Sequence, residues 1–372
     1  MDGQARKTQT NRRRGALALL AGLTLLASVG QAAAACLDAG NLRGVNLAGA
    51  EFNSKKRPGV MYQDYTYPSA SEIDYYAKKG VNAIRLPVRW ERVQRELYAE
   101  LNDQEMNAIS KTLGLARDRG ICLILDIHNY GLYNGNPIGS SDVPVDAFHD
   151  LWLKIADELG DPEYLALDLM NEPFKLEIAT WSDIAQSTVT ALRDAQAKQL
   201  IFVAGGRWSG VHEWNKTFSG TSNAQAFADL RDPLDRTVLE VHQYADEYYS
   251  GTKEVCHPPD HFNPMFESIE QWAQTNGQQL FLGEFGVPAS EQCLASLERM
   301  LSLMGNTNVW RGWTYWAGGA WWGDYFLSIA PQDGQDSAQM DVVEPFLEAN
   351  RCPEGGRTDC PMPPQDLEVD GN

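Results

Sequence analysis

The sequence predicts a single-domain (β/α)8 barrel, and three observations carry that prediction. Eight apolar, strand-like segments alternate with helix-like ones over about 310 residues, the pattern of a parallel sheet wrapped by helices. Polar and charged residues gather at the carboxyl ends of those strands, where α/β barrels keep their chemistry. No Gly-x-Gly-x-x-Gly follows the first strand, so an open nucleotide-binding sheet lacks its fingerprint.

The segments run in order. A first strand at 42–47 leads to a long polar loop rich in Tyr. A helix is expected over 70–79, with Ser71 as its N-cap, and a second strand over 81–88. The helix at about 103–118 has Asn102 and Asp103 at its start and Gly120 just past its end, as helix boundaries require. The third strand, 121–128, precedes a Gly- and Asn-rich loop and a helix over 144–159 that Gly160 stops. The fourth strand, 164–171, contains Leu167-Asp168-Leu169-Met170-Asn171 and runs into Glu172-Pro173. A helix over 178–197, a fifth strand over 199–204 and a long loop carrying Trp208 and Trp214 follow. The sixth strand spans 237–244, with a helix at 263–276 behind it. The seventh spans 279–284, with a helix at 290–304. The eighth spans 309–316, and a last helix lies near 341–349.

Composition narrows the function. The formal charge of −19 argues against nucleic acid or an anionic membrane surface as partner, because phosphate binding needs clustered Lys and Arg. It suits a neutral ligand. The chain has 11 Trp; core packing accounts for most of them, and stacking on sugar rings for one or two.

Residues 1–35 read as a secretion signal. Arg12, Arg13 and Arg14 form a basic head, Gly15 to Val29 an apolar run too short to span a bilayer, and Ala32 to Ala35 a cleavage region. Arg12 to Arg14 weakly resemble a twin-arginine signal, and Cys36 directly after Ala35 leaves lipid attachment open. Otherwise no membrane association is expected. The barrel is assigned to 36–350 and a Pro- and acid-rich tail to 351–372. Export permits disulfides. Of the six Cys, 256 pairs best with 293 and 352 with 360, and Cys122, inside an apolar strand, is expected as a buried free thiol. No Cys or His spacing forms a metal pattern, and neither metal nor cofactor is expected.

The strand ends supply a constellation. The second strand contributes Arg85 from Ile84-Arg85-Leu86-Pro87-Val88, while His128 and Asn129 end the third, Asn171 and Glu172 the fourth, His242 and Tyr244 the sixth, Glu284 the seventh and Trp316 the eighth. Buried singly, each polar group would cost roughly 1–3 kcal/mol; gathered at one barrel mouth they satisfy each other and a ligand. Two glutamates facing each other are what glycoside hydrolysis needs, one protonating the leaving oxygen and one attacking or activating water. The acid wants an environment that favours its neutral form. The nucleophile wants a cation and hydrogen-bond donors, which Arg85 and Tyr244 can provide to Glu284.

With these residues the chain resembles glycoside hydrolase family 5 from about Leu42 to Trp322, and the stretch Arg43-Gly44-Val45-Asn46-Leu47-Ala48-Gly49-Ala50-Glu51-Phe52 is similar to secreted endoglucanases of that family. The resemblance implies a retaining endo-β-1,4-glucanase, with Glu172 as acid/base and Glu284 as nucleophile. It further implies that Arg85, His128, Asn171, His242, Tyr244 and Trp316 form the rest of the active site; Asn129 joins the substrate-binding set by its place at the strand end. The substrate would be a β-1,4-glucan and the protein a monomer. β-Mannanase and xyloglucanase activities of the same family stay open, as do a metal-dependent barrel hydrolase using His128 and His242 and a non-catalytic glucan-binding barrel.

Overall fold

A computed structural model describes residues 1–3, 35–37 and 41–347. The proposed secretion signal, save its ends, and the tail with Cys352 and Cys360 lie outside the described residues. Eight strands close into a barrel: β1 (Leu42–Leu47), β2 (Ala83–Val88), β3 (Cys122–Ile127), β4 (Leu165–Asp168), β5 (Leu200–Ala204), β6 (Thr237–His242), β7 (Leu280–Glu284) and β8 (Trp310–Gly318). Each pairs in parallel with its sequence neighbours, and β1 pairs with β8 to close the ring. The register between β2 and β3 runs unbroken from Ala83–Cys122 to Val88–Ile127.

The strands are Ile-, Leu- and Val-rich because both of their faces are buried. All residues of β2 and β3 are buried. One face fills the barrel; the other packs against α1 (Ala70–Lys78), α2 (Asp103–Arg117), α3 (Val145–Leu159), α4 (Ile178–Asp194), α5 (Asn263–Asn276), α6 (Glu291–Leu303) and α7 (Ala338–Leu347). Trp90, Trp152, Trp181, Trp214 and Trp310 are fully buried, and Trp313 and Trp316 are buried as well, so most of the 11 Trp are core.

Local chemistry sets the helix ends. Asn102 caps α2 and Ser290 caps α6. Ser69, not Ser71, caps α1: its hydroxyl accepts from the Glu72 amide, and the Glu72 side chain returns to the Ser69 amide. This reciprocal box satisfies two orphan donors, an arrangement Ser71 cannot make because it already lies inside the helix, two residues later. The fifth βα unit is incomplete. After β5 the chain has only the single helical turn Asn223–Ala226, because 205–222 contains Gly205, Gly206 and Gly210 and bends with positive φ at Arg207 and Ser209. That loop runs over the barrel mouth.

Two disulfides are present among the described residues. Cys256–Cys293 is the pair expected from the sequence. Cys122 corrects the expectation: it is bonded to Cys36, 86 residues earlier. Cys122 opens β3 at the amino-terminal end of the barrel, and Cys36 is held beside it by its amide on the Glu163 carbonyl and by Arg311 on its own carbonyl. Its sulfur is thereby occupied and unavailable for a lipid thioether. Closing so long a loop restricts the unfolded chain, an effect worth about 2–4 kcal/mol. The double variant C36A/C122A is expected to lose stability by that amount in guanidinium unfolding monitored by tryptophan fluorescence; an unchanged midpoint would remove this role.

Candidate active site

The mouth of the barrel holds a cleft of about 630 Å³ whose floor and walls include His128, Glu172, His242, Tyr244, Glu284 and Trp316. Each reaches it because a strand ends there. Pairing of β4 with β3 stops at Asp168, and the chain continues through buried Leu169 and Met170 to Asn171, whose amide bonds the Ile127 carbonyl. Glu172 then turns with φ +38°, a backbone state that costs about 1–3 kcal/mol for a non-glycine residue and is found mostly at functional sites. Glu284 is the last residue of β7 and His242 the last of β6, and they pair across a register shift that skips Gly283.

Glu172, His242 and Glu284 each present one atom to the same point, all within 4.8 Å of one another. The two carboxylates therefore face each other across less than 5 Å. Their surroundings differ. Burial pushes the Glu172 carboxyl up to about 7, against the pull of the hydrogen bond and charge of His242. Glu284 accepts from Arg85 Nη1 at 2.9 Å and from Tyr244 Oη at 2.8 Å. These two donors orient the carboxylate.

Arg85 is fully buried. Beyond Glu284 it donates to Asp168 at 2.7 Å, to Asn46 at 3.0 Å and to Asn171 at 2.9 Å, and it pairs with Glu240 at 3.0 Å and Asp126 at 3.1 Å. Burial opposes its charge, but Asp126, Glu240, Asp168 and Glu284 outweigh burial and raise its pKa well above the ordinary value. The amide of Asn171 is thus fixed by Arg85 on one side and lies 3.3 Å from His128 Nε2 on the other.

The two histidines differ in charge. Burial pushes His128 down to about 3, so its ring is neutral; Nδ1 bonds Asp126 at 2.7 Å, and the ring stacks on Trp316 with centroids 5.5 Å apart. At His242 burial also opposes protonation, but the charges of Glu284 and Glu240 and the bonds to Glu172 and Glu240 prevail and raise it well above the usual range. Glu172, His242 and Glu284 are the one trio of metal-donor type among the described residues, yet both His242 nitrogens are hydrogen-bonded, Nδ1 to Glu172 at 2.8 Å and Nε2 to Glu240 at 3.3 Å.

All the residues expected from the sequence converge here except Asn129. Its carbonyl oxygen accepts from the Trp90 amide, and its NH2 donates to Glu91 and to the Leu132 carbonyl. The side chain points away from the cleft because residues alternate in direction along a strand and His128 takes the inward position. Other residues were not singled out. Asp126, Asp168, Glu240 and Asn46 form a buried polar layer beneath the mouth. Tyr130, His212, Tyr248, Tyr249 and Tyr325 line the cleft with the half-exposed Trp208, which stacks on Phe174 with centroids 3.9 Å apart. The acids had a signal: Asp126 and Glu240 each sit two residues before a mouth histidine, so they share its inward face one layer down. The rim aromatics sit on loops that carry no period.

Comparison with known proteins agrees with this geometry. Residues 41–320 match the model of the cellulase family, glycosyl hydrolase family 5. Endo-β-1,4-glucanase B of Emericella nidulans is 34% identical over 293 residues, covering 78% of this chain and 86% of that protein. A triple mutant of an endo-β-1,4-glucanase from Xanthomonas axonopodis pv. citri has a similar structure, with 44% identity, a TM-score of 0.81, and coverage of 83% of this chain and 99% of that one. XacCel5A in complex with cellopentaose gives 45% identity and a TM-score of 0.80 over 82% of this chain and 99% of that one. With a family match across the whole barrel and the paired carboxylates at its mouth, this chain belongs to glycosyl hydrolase family 5.

Proposed function

We propose that the protein is an endo-β-1,4-glucanase that cleaves internal β-1,4-glucosidic bonds with retention of anomeric configuration. The observation that carries this is the approach of the Glu172 and Glu284 oxygens to within 4.8 Å. Retaining glycosidases hold their carboxyl groups about 5–5.5 Å apart, whereas inverting ones leave about 6.5–9.5 Å for a water. The substrate class is supported by the endo-β-1,4-glucanase relatives and by the cellopentaose bound to XacCel5A.

In the first step a Glu284 oxygen attacks the anomeric carbon and Glu172 gives its proton to the departing glycosidic oxygen, leaving a glycosyl ester on Glu284. In the second step Glu172 takes a proton from water, the water oxygen bonds to the anomeric carbon, and the ester bond breaks. Arg85 and Tyr244 hold Glu284 for the attack. Asn171, clamped between Arg85 and His128, offers its NH2 to the sugar hydroxyl next to the anomeric carbon. Trp316, backed by His128, presents an aromatic face to a sugar ring. An ionised Glu172 cannot protonate the leaving group, so a carboxyl at about 7 keeps the first step running through weakly acidic pH.

Secretion through residues 1–35 is part of the same reading. The two disulfides support it, because such bonds persist in oxidising compartments. We also take the enzyme to act as a monomer.

E284Q and E172Q are each expected to lower the rate on carboxymethyl-cellulose by roughly 10²–10⁴-fold with an unchanged circular dichroism spectrum; near-normal turnover in either removes its assigned role. Proton NMR of the first product should show the β-anomer, and an initial α-anomer would mean inversion. The kcat/KM of the wild type should fall as pH rises through about 7, and a rate still climbing at pH 9 would exclude Glu172 as the acid. Initial rates on β-glucan, mannan and xyloglucan should favour glucan.

A further inference from the structure

The mechanism uses Glu172 and Glu284 but leaves a third buried glutamate beneath them unused. Glu240 lies on β6 two residues before His242 and is buried, as is His242. Its Oε1 faces Nε2 of His242 at 3.3 Å and Arg85 Nε at 3.0 Å. The opposite nitrogen of the same imidazole, Nδ1, lies 2.8 Å from Glu172 Oε1 and 3.7 Å from Glu284 Oε2. Glu240, His242 and Glu172 thus form one continuous line from the barrel interior to the cleft. The backbone makes room for it. A Cβ on Gly283, the neighbour of Glu284 on β7, would lie 1.7 Å from Glu240 Oε1, so this carboxylate occupies the volume of an absent side chain.

We propose that Glu240 is a positioning residue for the reaction: by accepting from Nε2 it holds His242 as an imidazolium whose Nδ1–H is directed at Glu172, and so governs the protonation of Glu172 from a layer below the cleft. The inference rests on the reading of Glu172 as acid/base. Charge favours it. Burial opposes ionisation of Glu240, but Arg85 and His242 overcome it and bring its pKa down to about 2, while His242 moves well up. The other groups that face the pair are Arg85 on β2, Asp126 on β3 and His128 just past it, Asp168 at the end of β4 and Glu172 beyond it, Tyr244 past β6 and Glu284 on β7. Asn46 on β1 and Thr314 on β8 are uncharged and bond the Gly283 carbonyl. Of these groups Arg85 and His128 add no negative charge, and Asp126 and Asp168 are driven toward their neutral forms, chiefly by burial. Glu240 is therefore the anion that faces Nε2.

The chemical consequence is a restraint on Glu172. A cation at hydrogen-bond distance favours the carboxylate and limits how far burial can raise its pKa. Such a restraint matters to a group that must be protonated in the first step and ionised in the second.

The test is the pH dependence of kcat/KM on cellopentaose for wild type, E240Q, E240D and E172Q, with imidazole NMR of His242. In E240Q the alkaline limb is expected to move up by about one pH unit, and the His242 ring to give up its proton at a lower pH than in the wild type; an unchanged ring titration would speak against the proposal. E240D, which keeps the charge, should keep the wild-type limb. E172Q should lose the limb altogether. A lost limb in E172Q with an unmoved limb in E240Q overturns this inference alone; a wild-type limb in E172Q overturns the acid/base reading on which it rests. Should E240Q fail to fold, the wild-type spectrum still decides: a singly protonated His242 at pH 7 overturns the proposal and a doubly protonated one supports it.

Discussion

The mouth of this barrel depends on one cation without solvent contact. Arg85 is fully buried, yet its guanidinium is shared among Asp126, Asp168, Glu240 and Glu284 and the amide oxygens of Asn46 and Asn171. Removing such a charge from water costs several kcal/mol, recovered only when its hydrogen-bonding capacity is filled. Here six groups from β1, β3, β4 and the segment just after it, β6 and β7 meet on it, so the ion on β2 locks the neighbouring strands to one another. Asn171 and Glu284 are where they are because Arg85 holds both. A neutral side chain at 85 would leave a cluster of carboxylates facing one another with nothing between them.

The same layer explains why two histidines at matching positions behave oppositely. His128 and His242 each end or follow a strand, and each has an acid two residues earlier on the same face. Beneath His128, burial raises Asp126 to about 7, and the same carboxyl oxygen that bonds the ring also faces Arg85 at 3.1 Å. Above His128 the ring faces Trp316 and Tyr130, which supply surface and a hydroxyl. His242 stands between Glu240 below and Glu172 and Glu284 above. A neutral ring is a wall for a sugar; a charged one polarises carboxylates. The difference lies in the anions around each ring: burial prevails at His128, while Glu284 and then Glu240 prevail over it at His242.

The strand positions were legible in the sequence because buried parallel strands read as apolar runs, and the polar residues that close them stand out against that background. Arg85, Glu172, His242 and Glu284 were visible in that way. Asn129 was not separable from His128, since the sequence names both at a strand end and only the pleat tells which one faces inward. Cys36–Cys122 was hidden by distance: nothing local links a residue ahead of β1 to the start of β3, and an apolar strand makes a half-cystine look like a core thiol. The Ser69 cap was missed because its partner, Glu72, lies inside the helix and Ser71 offers the same hydroxyl nearby. Trp208 and Tyr248 escaped because loop residues obey no period, and their meeting over the cleft is a property of the closed ring.

The two disulfides divide the labour of holding that ring. Cys36–Cys122 ties the segment before β1 to the start of β3, at the end of the barrel remote from the cleft. Cys256–Cys293 ties the loop after β6 to α6, and that loop contributes Tyr248, Tyr249, Ser250 and Thr252 to the cleft wall. Asp246 tightens the loop further by accepting from the amides of Ser250 and Gly251 and from the Ser250 hydroxyl. A loop this long would otherwise sample many conformations, and a polymeric substrate would have to order it on every binding event, at a cost in affinity. Strapped at Cys256 and pinned at Asp246, the wall stands ready beside carboxylates whose spacing is already fixed by the strands.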